Sequence, residues 1–245
     1  MQRAIALLSI AAVLLFAGAA FSADLTVEPA TYGGSVNVNL TNGNESSPQN
    51  PQLLVGTDVY SNVTSPANFG FSSTSFTSVW GDRVTTVGTG ILDQHVFSIF
   101  NSAGGSLLTA TVAVNFYDAV SAAFIGGYTT NVNFGAGLLA GQYSLVTVTN
   151  ISPLAINITV TDVLVTQTIT AKTGTTTRLG IASLDPVTIG LSANTMYINS
   201  STVGPAGYYN IGNPPQNANP AYRINLLQPV ATEPTTWGKV KNLYR

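Results

Sequence analysis

The stretch Leu108-Thr109-Ala110-Thr111-Val112-Ala113-Val114-Asn115-Phe116-Tyr117 decides the fold class. Successive side chains of a strand point to opposite faces, so this spacing places Val112, Val114 and Phe116 on one side and Thr109, Thr111 and Asn115 on the other. That is the pattern of a half-buried strand, not of a helix. Val36-Asn37-Val38-Asn39-Leu40 repeats it, as do residues 144–151 and 156–165. Further strands are expected at 95–101, 128–134, 166–171, 177–184, 195–199 and 221–227. Turns are expected at Ala103-Gly104-Gly105, Gly126-Gly127, Gly135-Ala136-Gly137, Ala140-Gly141 and Thr173-Gly174, where glycine punctuates the alternation. Thr and Val dominate these runs, and a branched Cβ favours the pleat.

About ten strands at short spacing, with no long helical stripe, predict an all-β chain. The expected form is a single antiparallel two-sheet β-sandwich, jelly-roll or immunoglobulin-like, over residues 24–228. A split into two domains near Ser78 is the lesser option. The expected core comprises Val112, Val114, Phe116, Val146, Val148, Ile156, Ile158, Val160, Leu179 and Ile181. The least regular stretches are 41–76, read as long loops around one short strand at 52–55, and 205–220, read as an irregular connection.

Upstream of the strands, Met1-Gln2-Arg3 is a short basic start, 4–20 is a small and apolar run, and Ala20-Phe21-Ser22 fits the small-x-small rule for cleavage. Residues 1–22 therefore read as a helical signal peptide, with a retained transmembrane helix as the alternative. The expected location is secreted, extracellular or at the cell surface, with the periplasm as a further compartment. Of the 245 residues none is cysteine, which excludes a lipoprotein anchor and disulfide staples. Downstream of the leader ten acids face seven bases, so nothing attracts a phosphate backbone and no nucleic-acid partner is expected. Solubility must come from hydroxyls and amides.

Chemistry is sparse. The single histidine, His95, opens an expected strand and reads as a surface or edge residue, and no Gly-x-Ser-x-Gly elbow accompanies it. One His and no Cys cannot build a zinc cage. Asp58, Asp82, Asp93, Asp118, Asp162 and Asp185 are scattered singly, as residues that begin turns by bonding their own backbone are. No organic cofactor is expected. Ca²⁺ is the one ion those carboxylates could hold after folding, and no clustered calcium loop is present. Tyr60, Trp80, Tyr208 and Tyr209 are aromatics that could stack on a sugar if exposed, against the more common role of core filler.

Trp80-Gly81-Asp82 ahead of a strand, Phe97-x-Ile99-Phe100-Asn101, Val114-x-Phe116-Tyr117-Asp118, Arg178-Leu179-Gly180 and Gly212-Asn213-Pro214-Pro215 before Tyr222-Arg223-Ile224 resemble a group of secreted bacterial β-sandwich proteins. These are of the planctomycete or PEP-CTERM-associated type. The resemblance covers roughly residues 80–224, rests on the order of individually weak motifs, and implies an exported, non-catalytic surface or matrix protein. This chain departs from the group in lacking the Pro-Glu-Pro, apolar helix and basic end of the sorting tail. Its residues 229–245 instead carry Trp237, Lys239, Lys241 and Tyr244, an aromatic-basic segment behind Pro229 and Pro234 that reads as a docking or sorting tail, too short and charged to span a membrane.

Three functions follow as expectations. The first is a non-enzymatic structural or adhesive β-sandwich whose partner is a cell-surface or matrix component or a polysaccharide. The alternative is a carbohydrate-binding module, and a secreted hydrolase comes third. A row of exposed aromatics on a sheet face would favour the sugar binder, and paired carboxylates in a cleft the hydrolase.

Overall fold

A computed structural model describes residues 24–40, 56–211 and 218–227. The leader, the expected strand at 52–55 and the tail at 229–245 lie outside the described residues. Among the described residues the chain is all-β, with one 3-10 turn at Ser152–Leu154 and no helix long and apolar enough to cross a membrane. The strands are β1 (Thr26–Glu28), β2 (Thr31–Asn39), β3 (Thr57–Ser61), β4 (Ala67–Ser73), β5 (Val79–Thr85), β6 (Gly90–Asp118) and β7 (Phe124–Leu138). They continue as β8 (Gln142–Thr149), β9 (Asn157–Ile158), β10 (Asp162–Leu184), β11 (Leu191–Ser192), β12 (Met196–Ser200), β13 (Gly204–Tyr209) and β14 (Tyr222–Leu227).

All of them join one hydrogen-bonded sheet whose main path is β13-β12-β5-β10-β6-β14-β3. The organising elements are β6 and β10, of 29 and 23 residues. The first part of β6 pairs with β14 on one side and β8 on the other, and its second part pairs with β10 and β7. β10 likewise pairs with β5 through its first residues and with β4 through its last.

These long strands correct the expected turns at Ala103-Gly104-Gly105 and Thr173-Gly174. Gly104 (φ +88°) and Gly174 (φ +108°) take the left-handed conformation that glycine tolerates, and the β6–β10 register slips on both sides of Gly174. A Cβ on Gly174 would lie 2.2 Å from the carbonyl oxygen of Ser106, so the strands approach closely at a bulge instead of parting. Gly126-Gly127 and Gly135-Ala136-Gly137 also fall inside a strand, β7, whereas Ala140-Gly141 does form the turn into β8.

The sheet is mixed, which corrects the antiparallel expectation: β2 runs parallel to β8, with Val36 beside Val146 and Val38 beside Val148. β2 reaches that edge without a hairpin, so no tight turn forces the antiparallel direction. The expected strand at 156–165 is broken, since Ile158 pairs with Gly90 while Val163 pairs with Val84 and Asp118. Within 41–76, β3 and β4 replace expected loops because they are completed by distant partners, β14 and β10. Within 205–220, β13 forms a hairpin with β12.

The core follows the alternation closely. Val112, Val114, Phe116, Val146, Val148, Ile156, Ile158, Leu179 and Ile181 are all buried, and Val160, at the break between β9 and β10, is half-buried. The largest apolar cluster joins Leu92, Phe97 and Ile99 from the first part of β6 to Val112, Val114 and Phe116 from the second, together with Tyr60 and Tyr222. A second cluster places Trp80 with Ile181, Met196, Ile198 and Tyr209.

Candidate functional site

The parity that buries Val114, Phe116, Val165, Trp80 and Ile198 turns their neighbours outward. Registers align these neighbours into a row across the sheet: Gly127 on β7 opposes Asn115 on β6, Asn115 opposes Thr166 on β10, Thr166 opposes Gly81 on β5, Gly81 opposes Tyr197 on β12, and Tyr197 opposes Tyr208 on β13. At Gly81 and Gly127 no side chain stands above the backbone. A Cβ at Gly81 would come within 2.4 Å of the Val165 carbonyl oxygen, so the position is closed to larger residues. The floor is therefore low between two raised walls.

The resulting groove has a volume of about 410 Å³. Its floor is Val79, Leu164, Thr166 and Thr168; one wall is Tyr197, Asn199 and Tyr208, and the other is Asn115, Tyr117, Asp118 and the turn residues Ala119 and Ala122. The rings of Tyr197 and Tyr208 meet edge to face, with centroids 5.5 Å apart at 69°. Tyr117 and Phe124 form a similar pair, also at 5.5 Å. Tyr208 and Phe124 are exposed, while Tyr117 and Tyr197 are half-buried. Such tilted pairs hold rings in place while leaving faces and hydroxyls accessible.

The electrostatics of the groove are mild. Partial burial raises the phenol pKa of Tyr197, with the nearby Tyr117 adding to the effect. Burial likewise raises that of Tyr208, against the lowering influence of Arg83. Both phenols stay neutral and able to donate. Asp118 is held below the usual carboxylate range by the Ser121 hydroxyl, which donates to Oδ2 at 2.7 Å, and by the Val120 backbone N–H, which donates to Oδ1 at 2.8 Å. Asp118 is the one ionised side chain among the groove's lining residues. Arg83, beyond the floor, donates from Nε to Asp162 at 2.8 Å and forms a second contact through Nη2. This arrangement can take a neutral, hydroxyl-rich ligand: rings for its apolar faces, amides and hydroxyls for its polar edges.

The two adjacent tyrosines expected together part company. Tyr208 joins the groove, but Tyr209 turns inward against the Trp80 cluster, its hydroxyl donating to the Pro205 carbonyl at 2.6 Å. Tyr60 and Trp80 are buried and cannot stack on a ligand. Trp237, Lys239, Lys241 and Tyr244 lie outside the described residues. Tyr117 and Tyr197 were missed as site residues, although their parity opposite Phe116 and Ile198 marks them as outward-facing.

His95 corrects the expectation of a surface residue. It is fully buried, its Nδ1 lies 2.7 Å from the Tyr128 hydroxyl, and its ring stacks on Tyr222 at 5.5 Å. Burial, reinforced by the positive charge of Arg223, pushes its pKa down to about 3. The strand start expected at 95 is interior to β6, with β14 and β8 flanking it, and those neighbours remove it from water. Asp82 is no turn residue either: it is fully buried in β5, accepts from the Ser192 hydroxyl at 3.0 Å, and has its pKa raised by burial. Asp58 accepts from Asn225 Nδ2 at 2.9 Å, and Asp185 from Asn219 Nδ2 at 2.8 Å. Among the described residues no three His, Cys, Asp or Glu side chains gather into a metal-holding group.

No family model, curated protein or solved structure matches the chain.

Proposed function

We propose that this chain is an exported, non-enzymatic cell-surface or matrix protein that binds a neutral polysaccharide through the tyrosine groove. The carrying observation is the set of outward rings, Tyr117, Tyr197 and Tyr208, around a floor of Val79, Leu164, Thr166 and Thr168. This is the feature that favours a carbohydrate binder over a purely structural protein with a polar face. The opposed walls also fit binding better than hydrolysis: Asp118 faces Tyr197, Asn199 and Tyr208, where a glycosidase places a second carboxyl group. The basic-then-apolar leader supports export, and the resemblance of its motifs to those of secreted planctomycete-type proteins agrees with a surface role.

In this reading the sheet bends at the glycine bulges of β6 and β10 and closes on itself as a two-layer sandwich, which accounts for a core shared by both parts of β6. The test is a glycan array probed with the leaderless protein and with Tyr208→Ala. Binding of neutral glycans by the first and its loss in the second is the expected result. No glycan binding, or binding indifferent to Tyr208, removes the proposal.

A further inference from the structure

We infer that the groove is one end of a longer track, so that its ligand is an extended neutral glycan chain lying along β10 and not a terminal sugar. The inference rests on the glycan-binding reading and adds the ligand's form.

Among the described residues the groove has walls on its flanks and no cap beyond Thr168. β5 begins at Val79, opposite Thr168, so past that point the outward face continues on β10, β6 and β7. As far as Thr109 and Thr173 the outward positions of that continuation are small or polar, and the exposed Leu108 follows them. Thr111 faces Asn131 on β7 and Ala171 on β10, and Thr109 faces Asn133 and Thr173. These side chains are arranged before any ligand arrives. Thr111 Oγ1 donates to Asn131 Oδ1 at 2.8 Å, the hydroxyls of Thr109 and Thr173 are 2.6 Å apart, and Asn133 Oδ1 accepts from the Gly135 N–H at 2.9 Å. With each amide oxygen engaged as an acceptor, the Nδ2 groups of Asn131 and Asn133 are the donors presented outward.

Spacing and charge select the occupant. Outward residues on one strand repeat every ~7 Å, and neighbouring strands lie ~5 Å apart, so the positions from the floor at Thr166, itself buried, to the exposed Thr173 span roughly 20 Å. A monosaccharide or disaccharide held by Tyr197 and Tyr208 would leave most of that span uncovered. Among the described residues, Lys172 on β10 is committed: its Nζ donates to the Thr176 carbonyl at 2.9 Å and lies over the Phe76 ring. With Lys172 and Arg83 both engaged, the described residues offer a polyanionic chain no spare positive charge, whereas a polyhydroxyl chain meets donors and acceptors throughout.

The experiment titrates the leaderless protein with hydroxyethylcellulose, galactomannan, amylose and glycol chitin, then with the disaccharide and hexasaccharide of whichever polymer binds. Two exposed-face variants accompany it, Tyr208→Ala in the groove and Asn131→Ala/Asn133→Ala/Thr173→Ala on the track, each checked for an unchanged melting temperature. The track predicts a hexasaccharide bound at least about tenfold more tightly than the disaccharide, with that gain erased by the triple variant while disaccharide affinity stays the same. Equal affinities for the two lengths, or a triple variant that binds the hexasaccharide normally, overturn the track and leave the groove standing. Binding of no polymer removes the groove reading and the track together.

Discussion

Two groups of tyrosines occupy opposite faces of the same sheet and live by different rules. Inside, Tyr128 and Tyr222 pack on His95, and Tyr60 and Tyr222 approach Asp82, all removed from water. Outside, Tyr117, Tyr197 and Tyr208 frame a groove. The inner set has its phenol pKa values raised by burial, strongly for Tyr128 and Tyr222, whereas Tyr197 and Tyr208 are raised only in part because water still reaches them. One residue type is thus scaffold on one face and ligand platform on the other. Strand parity alone separates the roles.

The sharpest test of that separation uses adjacent residues. Val114 points into the core and Asn115 into the groove, so Val114→Asp should cost about 3–5 kcal/mol or prevent folding, while Asn115→Asp should stay within about 0.5 kcal/mol in urea denaturation. Comparable losses at both positions would show that the face assignment is wrong.

Acid provides the next largest effect. The folded pKa of His95 lies near 3, below its ordinary 6.5, so the unfolded chain binds the proton more readily and stability falls as pH drops below about 6.5. The loss should reach several kcal/mol by about pH 4, and His95→Gln should flatten that slope in melts taken across the range. Asp82 has the opposite sign. Its folded pKa is raised, so its contribution is full below the ordinary 3.8 and fades as pH rises toward the folded value. Asp82→Asn, which keeps an acceptor for Ser192, should therefore make the protein more stable at neutral pH and leave it unchanged in strong acid. A destabilised variant at pH 7 would mean that the buried carboxyl is ionised in the fold.

The smallest stability effects belong to the neighbouring tyrosines, and there the functional contrast is greatest. Tyr209→Phe removes the phenol's bond to the exposed Pro205 carbonyl and should cost about 0.5–1.5 kcal/mol with glycan binding intact. Tyr208→Phe should leave the melting temperature within a few degrees and weaken glycan binding by the loss of one hydroxyl, about fivefold. Thermal melts and titration of the same two samples read both axes.

Much of this organisation was readable from local pattern. Alternation identified the inward valines of β6 and β8 because parity survives any uncertainty about where a strand ends. It also placed Thr109, Thr111 and Asn115 on the outer face. What local pattern could not supply was the meaning of glycine. Gly104 and Gly174 look like turns in isolation, and only the opposing strand shows them to be paired bulges. His95 and Asp82 were misjudged for the same reason: their surroundings come from β14, β8 and residue 192, far off in sequence. Tyr208 was a candidate, but nothing near it in the chain indicates that Tyr117 will share its groove.

The pairing of β3 with β14 governs the order in which the chain can fold. Tyr60 on β3 meets Ile224 on β14, and Asn62 Nδ2 donates to the carbonyls of Leu184, Asn219 and Pro220 while its Oδ1 accepts from the Tyr222 N–H. A nascent chain that has not yet released its last strand leaves β3 without its hydrogen-bonding partner and the core open around Tyr60. Contacts this distant close late, because the entropy of a long loop must be overcome before they form. Refolding should accordingly be slow, in milliseconds to seconds, with β14 docking last. For the export proposed above, that delay would keep the polypeptide extended until translocation is complete.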